Sequence, residues 1–256
     1  CDYVYDEEDA TLDPAAVQPG SAIFVKTDMI DLFFREIHPR LAHPYVLVSH
    51  NSDHPAPGPN QALLDDPKLI AWFAQNVEAA HPKLHPIPIG IANRYWGHGN
   101  PEVLQNAIAK PKSKQHLLYF NFTIQNYHAE RWPLFHLFGY APFSYRPGKR
   151  RFDIYLNDLS SSKFILAPRG NGLDTHRLWE ALYLDSFPIV KTSPLDAVYD
   201  GLPVIVIQEW EEVTESFLNQ KYDEFTHASF SLDRRYLPYW LSLIAQAKTD
   251  ALNYGL

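Results

Sequence analysis

Arg169-Gly170-Asn171-Gly172, followed by His176, Arg177 and Glu180, is the stretch whose residue types and spacing are best suited to chemistry. Two glycines let a loop bring its backbone close to a ligand and adopt positive φ. Arginines beside a helix amino terminus suit an anionic group such as a diphosphate, because the helix end presents unpaired N–H groups and a guanidinium presents paired donors. Arg177 and Glu180 are three residues apart, so a helix places them on one side. A carboxylate pointing the same way suits ribose or sugar hydroxyls, which need an acceptor. The competing reading is an exposed Arg177–Glu180 ion pair, worth little.

The flanking sequence supplies the elements that must hold these residues. Phe164 to Ala167 is a short apolar run that reads as a buried strand, ended by Pro168. Asp174 or Thr175 can cap the helix that follows, and Leu178, Ala181 and Leu182 give it an apolar face. Phe187 to Val190 is the next strand. Strand, glycine loop, helix and strand make a βαβ unit. Its loop lies at the carboxyl end of the first strand, where open α/β sheets bind ligands.

The run SKFILAPRGNGLDTHRLWEALYLDSFPIV, from Ser162 to Val190, resembles the donor-binding signature of exostosin-like glycosyltransferases, glycosyltransferase family 47. The resemblance is good over about thirty residues, extends over the carboxyl half and is loose in the amino half. It implies a GT-B fold, two Rossmann-like domains facing a cleft, and sugar transfer from a nucleotide-diphosphate donor, with inversion expected. It maps Arg177 and Glu180 onto the family's donor-binding arginine and glutamate. The chain departs from the family in being short and nearly free of cysteine, so acceptor and compartment do not carry over.

Composition narrows the rest. The 256 residues are 46% hydrophobic, enough for a core, and suit one large α/β domain or two small ones. A net charge of −8 argues against general binding to nucleic acid or anionic membrane. The single cysteine, Cys1, allows no internal disulfide and no cysteine zinc site. The chain therefore reads as cytoplasmic, with a Golgi-lumenal or membrane-tethered setting as the alternative if an amino-terminal anchor has been removed. No apolar run approaches the ~20 residues of a membrane span. Asn121-Phe122-Thr123 matches a glycosylation sequon, but it follows an apolar run and reads as strand.

Along the chain, residues 1–20 are acidic and irregular, with Glu7, Glu8 and Asp9 among them, and read as a peripheral arm. Strands are expected at 21–26, 44–49 and 85–91, with helices at 29–37, 67–80 and 101–109. The stretch 67–80 also admits a short strand between two helices. Lys110 to Lys114 is polar and proline-broken and reads as a linker. Alternation then resumes, with strands at 116–122, 163–167, 188–191 and 202–207. Helices are expected at 127–138, 152–160, 176–184, 210–219 and 236–252. Strands alternating with helices mean mainly parallel sheets. The expected fold class is α/β, two Rossmann-like domains facing a cleft in GT-B fashion, an acceptor domain at 21–111 and a nucleotide-sugar domain at 112–256.

Sugar transfer needs a held diphosphate whose leaving charge is neutralised, an aligned acceptor and, for inversion, a general base. The chain has no Asp-x-Asp motif. Charge neutralisation is therefore assigned to Arg169, Arg177 and the helix amino terminus, with no metal and no cofactor, and a UDP-linked sugar as substrate. Arg94, where the first block hands over to the second, is a further donor-phosphate candidate. The base is expected from loops at strand carboxyl ends of the first block: Asp53 first, His50 second, and Asp28. Each also reads as an ordinary turn or cap residue. The alternatives are a catalytically silent nucleotide-sugar or glycan-binding module and a sugar-nucleotide epimerase. The expected partners are a nucleotide sugar and a glycan or other hydroxyl-bearing acceptor.

Overall fold

A computed structural model describes residues 1–8 and 10–253; Asp9 of the acidic run and residues 254–256 lie outside the described residues. The chain divides into two compact units, Cys1–Ile89 with Tyr236–Leu256, and Gly90–Arg235.

The first unit is built on a five-stranded parallel sheet of β1 (Tyr3–Tyr5), β2 (Ala22–Lys26), β3 (Tyr45–His50), β4 (Leu69–Ala74) and β5 (Leu84–Pro86). Tyr45 to Ser49 are all buried, as continuous apolar strands of parallel sheets are. The strands lie in sequence order across the sheet, so it contains no point where the order reverses. After β2 the chain makes short 3₁₀ and π turns around α1 (Ile30–Leu32). Phe33 and Phe34 from this stretch pack edge-on against Tyr45 and Trp72, covering one face of β3 and β4.

Three expectations change here. The acidic arm begins with β1, whose Tyr5 is buried and packs on Phe33, because a three-residue strand amid carboxylates leaves no periodic signal. The stretch 67–80 contains β4, the strand of the alternative reading, and neither the long helix nor the two short ones. Its run LIAWFA is buried on both faces and so lacks the alternation that marks a strand. The third expected strand is confined to β5, since Pro86 and Pro88 stop the ladder.

The second unit carries another five-stranded parallel sheet, in the order β10-β9-β8-β6-β7. Along the chain come α2 (Pro101–Ala109), β6 (His116–Tyr119), α3 (His128–Phe138), β7 (Ser144–Tyr145), α4 (Phe152–Ser160) and β8 (Ser162–Leu166). They are followed by α5 (His176–Tyr183), β9 (Phe187–Lys191), β10 (Ile205–Ile207) and α6 (Glu215–His227). One apolar layer joins Leu118, Phe164 and Ile189 of the sheet to Leu134 and Phe138 of α3 and Leu218 of α6. The opposite layer joins Tyr119 and Ile165 to Leu104 of α2, Leu156 of α4 and Ala181 of α5. The sheet is thus covered on both faces, with its order reversing between β6 and β8.

The last helix, α7 (Leu237–Asn253), packs on β3 and β4 of the first unit. The unit boundaries therefore differ from the expected 21–111 and 112–256. Tyr3–Tyr5 of the expected arm pair with β2 in the first unit's sheet, the second unit begins at Gly90, and the closing helix returns to the first unit. The expected linker at 110–114 lies inside the second unit, where Lys114 Nζ donates to Ser186 Oγ (2.7 Å) and the Leu184 carbonyl. Among the described residues no helix is long and apolar enough to cross a membrane.

Candidate functional site

The reversal between β6 and β8 opens a crevice at their carboxyl ends, the position where doubly wound sheets receive ligands. Two loops flank it, 120–127 after β6 and 167–175 after β8. The second loop is the glycine segment. Gly170 N–H donates to the Gly172 carbonyl at 2.9 Å, which closes the loop on itself. Gly170 does not take the expected positive φ; its need is for space, since a Cβ there meets Arg131 Nη2 at 3.1 Å. Asp174 is buried and accepts from Thr175 N–H and from the Trp179 indole, both at 2.8 Å. Thr175 holds the N-cap position of α5 without using its side chain, and Asp174 ties down the first turn.

Arg177 and Glu180 project from α5 but make no ion pair among the described residues. Arg177 Nε is buried with no hydrogen-bond partner, and the guanidinium carbon lies 5.9 Å from the centroid of the Phe122 ring. Glu180 is 3% exposed and accepts a 2.7 Å hydrogen bond from Tyr155 Oη. Burial pushes its carboxyl up to about 7, against the opposing effects of the Tyr155 hydrogen bond and the Arg177 charge. The exposed surface pair is therefore not what these residues form.

Arg169 stacks on Tyr127, its guanidinium carbon 4.3 Å from the ring centroid. Its Nη2 lies 3.5 Å from the Asn171 carbonyl, at the outer limit of a hydrogen bond. His176 Nδ1 lies 2.7 Å from the Gly90 carbonyl, which ties the segment 90–100 to the start of α5. Arg94 is exposed within that segment. The structure thus gathers Arg169, Gly170, Asn171, Gly172, His176, Arg177 and Glu180 around the loop and the first turns of α5, while Arg94 stands in a separate exposed segment.

Arg131 is the residue that sequence reasoning missed. It is 3% exposed, in the first turn of α3. Its Nε donates to the Arg169 carbonyl (2.7 Å), Nη1 to Thr123 (2.7 Å) and Nη2 to Pro168 (3.3 Å). The guanidinium also lies over Phe122, 5.2 Å from its centroid. No carboxylate pairs with it among the described residues, and burial and the Arg177 charge lower it to about 10. The available signal was position: Arg131 precedes buried Leu134 and Phe138 by three and seven residues, on the core stripe of its helix.

Beside this cluster a cavity of about 210 Å³ opens at the ends of β6 and β7. Phe120, Phe122 and Phe135 form its apolar wall, and Asn121, Arg146 and Lys149 its polar one. Asn121, expected in the strand, lies one residue beyond Phe120 in the loop. Its amide donates to Tyr119 Oη (3.0 Å).

In the first unit, Asp28, His50 and Asp53 lie in or beside the loops that follow β2 and β3. His50 Nε2 is 3.0 Å from the Pro88 carbonyl and Nδ1 is 3.0 Å from Asn51 Oδ1. Both ring nitrogens therefore face oxygens that only accept, the Pro88 carbonyl and the Asn51 side-chain carbonyl. Asp28 Oδ1 lies 3.6 Å from Nε2 of His54, and its other oxygen 3.6 Å from Lys26 Nζ. Asp53 is exposed. Among the described residues no three histidine, cysteine or acidic side chains are grouped to hold a metal ion.

No protein-family model matches the chain, and no curated protein matches it. Among solved structures, a glycosyltransferase from Rickettsia africae ESF-5 is similar at 10% identity and a TM-score of 0.41, over 89% of this chain and 76% of that one. A GtfA/B complex is similar at 10% identity and a TM-score of 0.39, over 92% of this chain and 59% of that one. At these values neither likeness assigns an activity.

Proposed function

We propose that this chain is a glycosyltransferase that moves a sugar from a nucleotide-diphosphate donor to a hydroxyl acceptor. The observation that carries this reading is Arg177, whose buried Nε lacks a hydrogen-bond partner beside a second carboxylate-free arginine, Arg131, at the switch point of a parallel sheet. Two buried or half-buried guanidiniums that make no ion pair among the described residues, with Glu180 and Glu130 the carboxylates acting on them, suit an anion of two or more charges.

In this reading the donor's diphosphate lies against Arg169, Arg177 and the start of α5. The acceptor oxygen forms a bond to the anomeric carbon as the sugar–phosphate bond breaks. The electron pair leaves on the terminal phosphate oxygen, where the arginines stabilise it. Glu180 and Tyr155 present the polar pair that suits ribose hydroxyls, and the aromatic cavity beside Phe122 suits a ring. The acceptor's proton goes to a general base, for which Asp28, His50 and Asp53 are the proposed candidates. Cationic stabilisation without a metal agrees with the absence of an Asp-x-Asp motif in the sequence. The resemblance of residues 162–190 to the exostosin-like donor signature supports the same assignment.

The test is a thermal-shift screen against nucleoside diphosphates, followed by transfer assays with a panel of nucleotide sugars. Uridine diphosphate is expected to raise the Tm of the wild type by more than that of Arg177→Ala at the same concentration, since stabilisation grows with ligand concentration relative to Kd. Tight binding of nucleotide sugars without transfer or hydrolysis makes the chain a binding module. Interconversion of a free nucleotide sugar without acceptor makes it an epimerase.

A further inference from the structure

We infer that Arg131 is a positioning residue that latches the two switch-point loops together and so sets the shape of the anion site. This rests on the proposed function for the identity of the anion, and on geometry alone for the latch.

The fork of Arg131 is divided between the two sides of the crevice. Nη1 holds the loop after β6 through Thr123, while Nε and Nη2 hold the loop after β8 through Arg169 and Pro168. The three acceptors are backbone carbonyls, which cannot neutralise the charge they bind. A buried guanidinium satisfied only by carbonyls keeps its field, and here the field adds to that of neighbouring Arg177. Lysine cannot replace it, since one ammonium lacks the planar fork that reaches two loops at once. Gly170 fits the same account, because its missing Cβ leaves room for Arg131 Nη2. The latch thus fixes the backbone of Arg169-Gly170 and holds Phe122, the ring that both Arg131 and Arg177 stack upon.

Two variants of the full chain test this: Arg131→Lys, which keeps the charge and loses the fork, and Gly170→Ala, which keeps both arginines and crowds Nη2. Each is measured by calorimetric binding of inorganic pyrophosphate and of uridine diphosphate, and by amide hydrogen exchange. Both variants are expected to bind about tenfold more weakly, the size of one lost charge-assisted hydrogen bond. Exchange is expected to speed up at 121–126 and 169–175 and to stay unchanged in β9 and α6. Wild-type affinity in Arg131→Lys, or unchanged exchange in both loops of both variants, overturns the latch. If the wild type binds neither probe, the proposed function fails instead, and the exchange result still decides the latch. Should Arg131→Lys not fold, Gly170→Ala carries the test by itself.

Discussion

Arg177 makes no hydrogen bond or ion pair among the described residues, so little native structure is lost with it. Arg177→Ala breaks no hydrogen bond and relieves a buried unsatisfied Nε, so it is expected to leave Tm unchanged or raised. Its affinity for uridine diphosphate should fall by about 10- to 100-fold, by calorimetry. A large loss of Tm with full affinity would make the residue structural. Glu180 gives a prediction of the opposite kind, about stability rather than binding. Folding raises its carboxyl to about 7, so the folded protein keeps a proton that the unfolded chain releases. Its contribution is therefore greatest below the ordinary carboxylate range and is lost as pH rises toward 7. Glu180→Gln, which can still accept from Tyr155, is expected to gain Tm relative to the wild type between pH 5 and pH 8. Equal melting curves across that range would show the carboxylate already ionised. Arg177 and Glu180 were legible as a pair because their spacing is local. That they do not join each other was not, because the partner of Glu180 is Tyr155, on another helix.

The start of α5 depends on one buried acceptor. Asp174→Ala removes the carboxylate that both Thr175 N–H and the Trp179 indole use. Trp179 is 1% exposed, so its N–H is left unsatisfied, which costs about 1–3 kcal/mol. A lower urea midpoint should report it, and an unchanged midpoint would mean that water reaches the indole. Elements of this kind, with local caps and amphipathic stripes, could be read from the chain. The spans of α2, at 101–109, and α4, at 152–160, agree with expectation, and α5 ends within a residue of it. β4 was legible only as an alternative to a helix, because its alanines and unbroken apolar run suit a helix as well as a doubly buried strand. Arg131 was hidden for a related reason. An arginine on a helix reads as a solvated charge until the carbonyls it serves, from two distant loops, are known.

The two sheets share a strand number and a parallel sense, yet only the second reverses its order. That places the switch point in the second unit, a distinction invisible to a sequence in which both blocks alternate alike. The second unit is also one continuous stretch, Gly90–Arg235, while the first is closed by α7. A fragment of residues 90–235 is expected to melt cooperatively and to retain uridine diphosphate binding. A fragment of residues 1–89, lacking the helix that packs on β3 and β4, is expected to show no cooperative transition. Calorimetric scans of the two fragments decide between this and independent folding of both. The return of α7 also sets a schedule during synthesis. β3 and β4 leave the ribosome early, and their covering helix follows only after the whole second unit has been made. At about 5–20 residues per second, the interval is on the order of ten seconds or more. For that time the part of the first sheet that α7 covers stays exposed, and the second unit has the opportunity to fold before the first is complete.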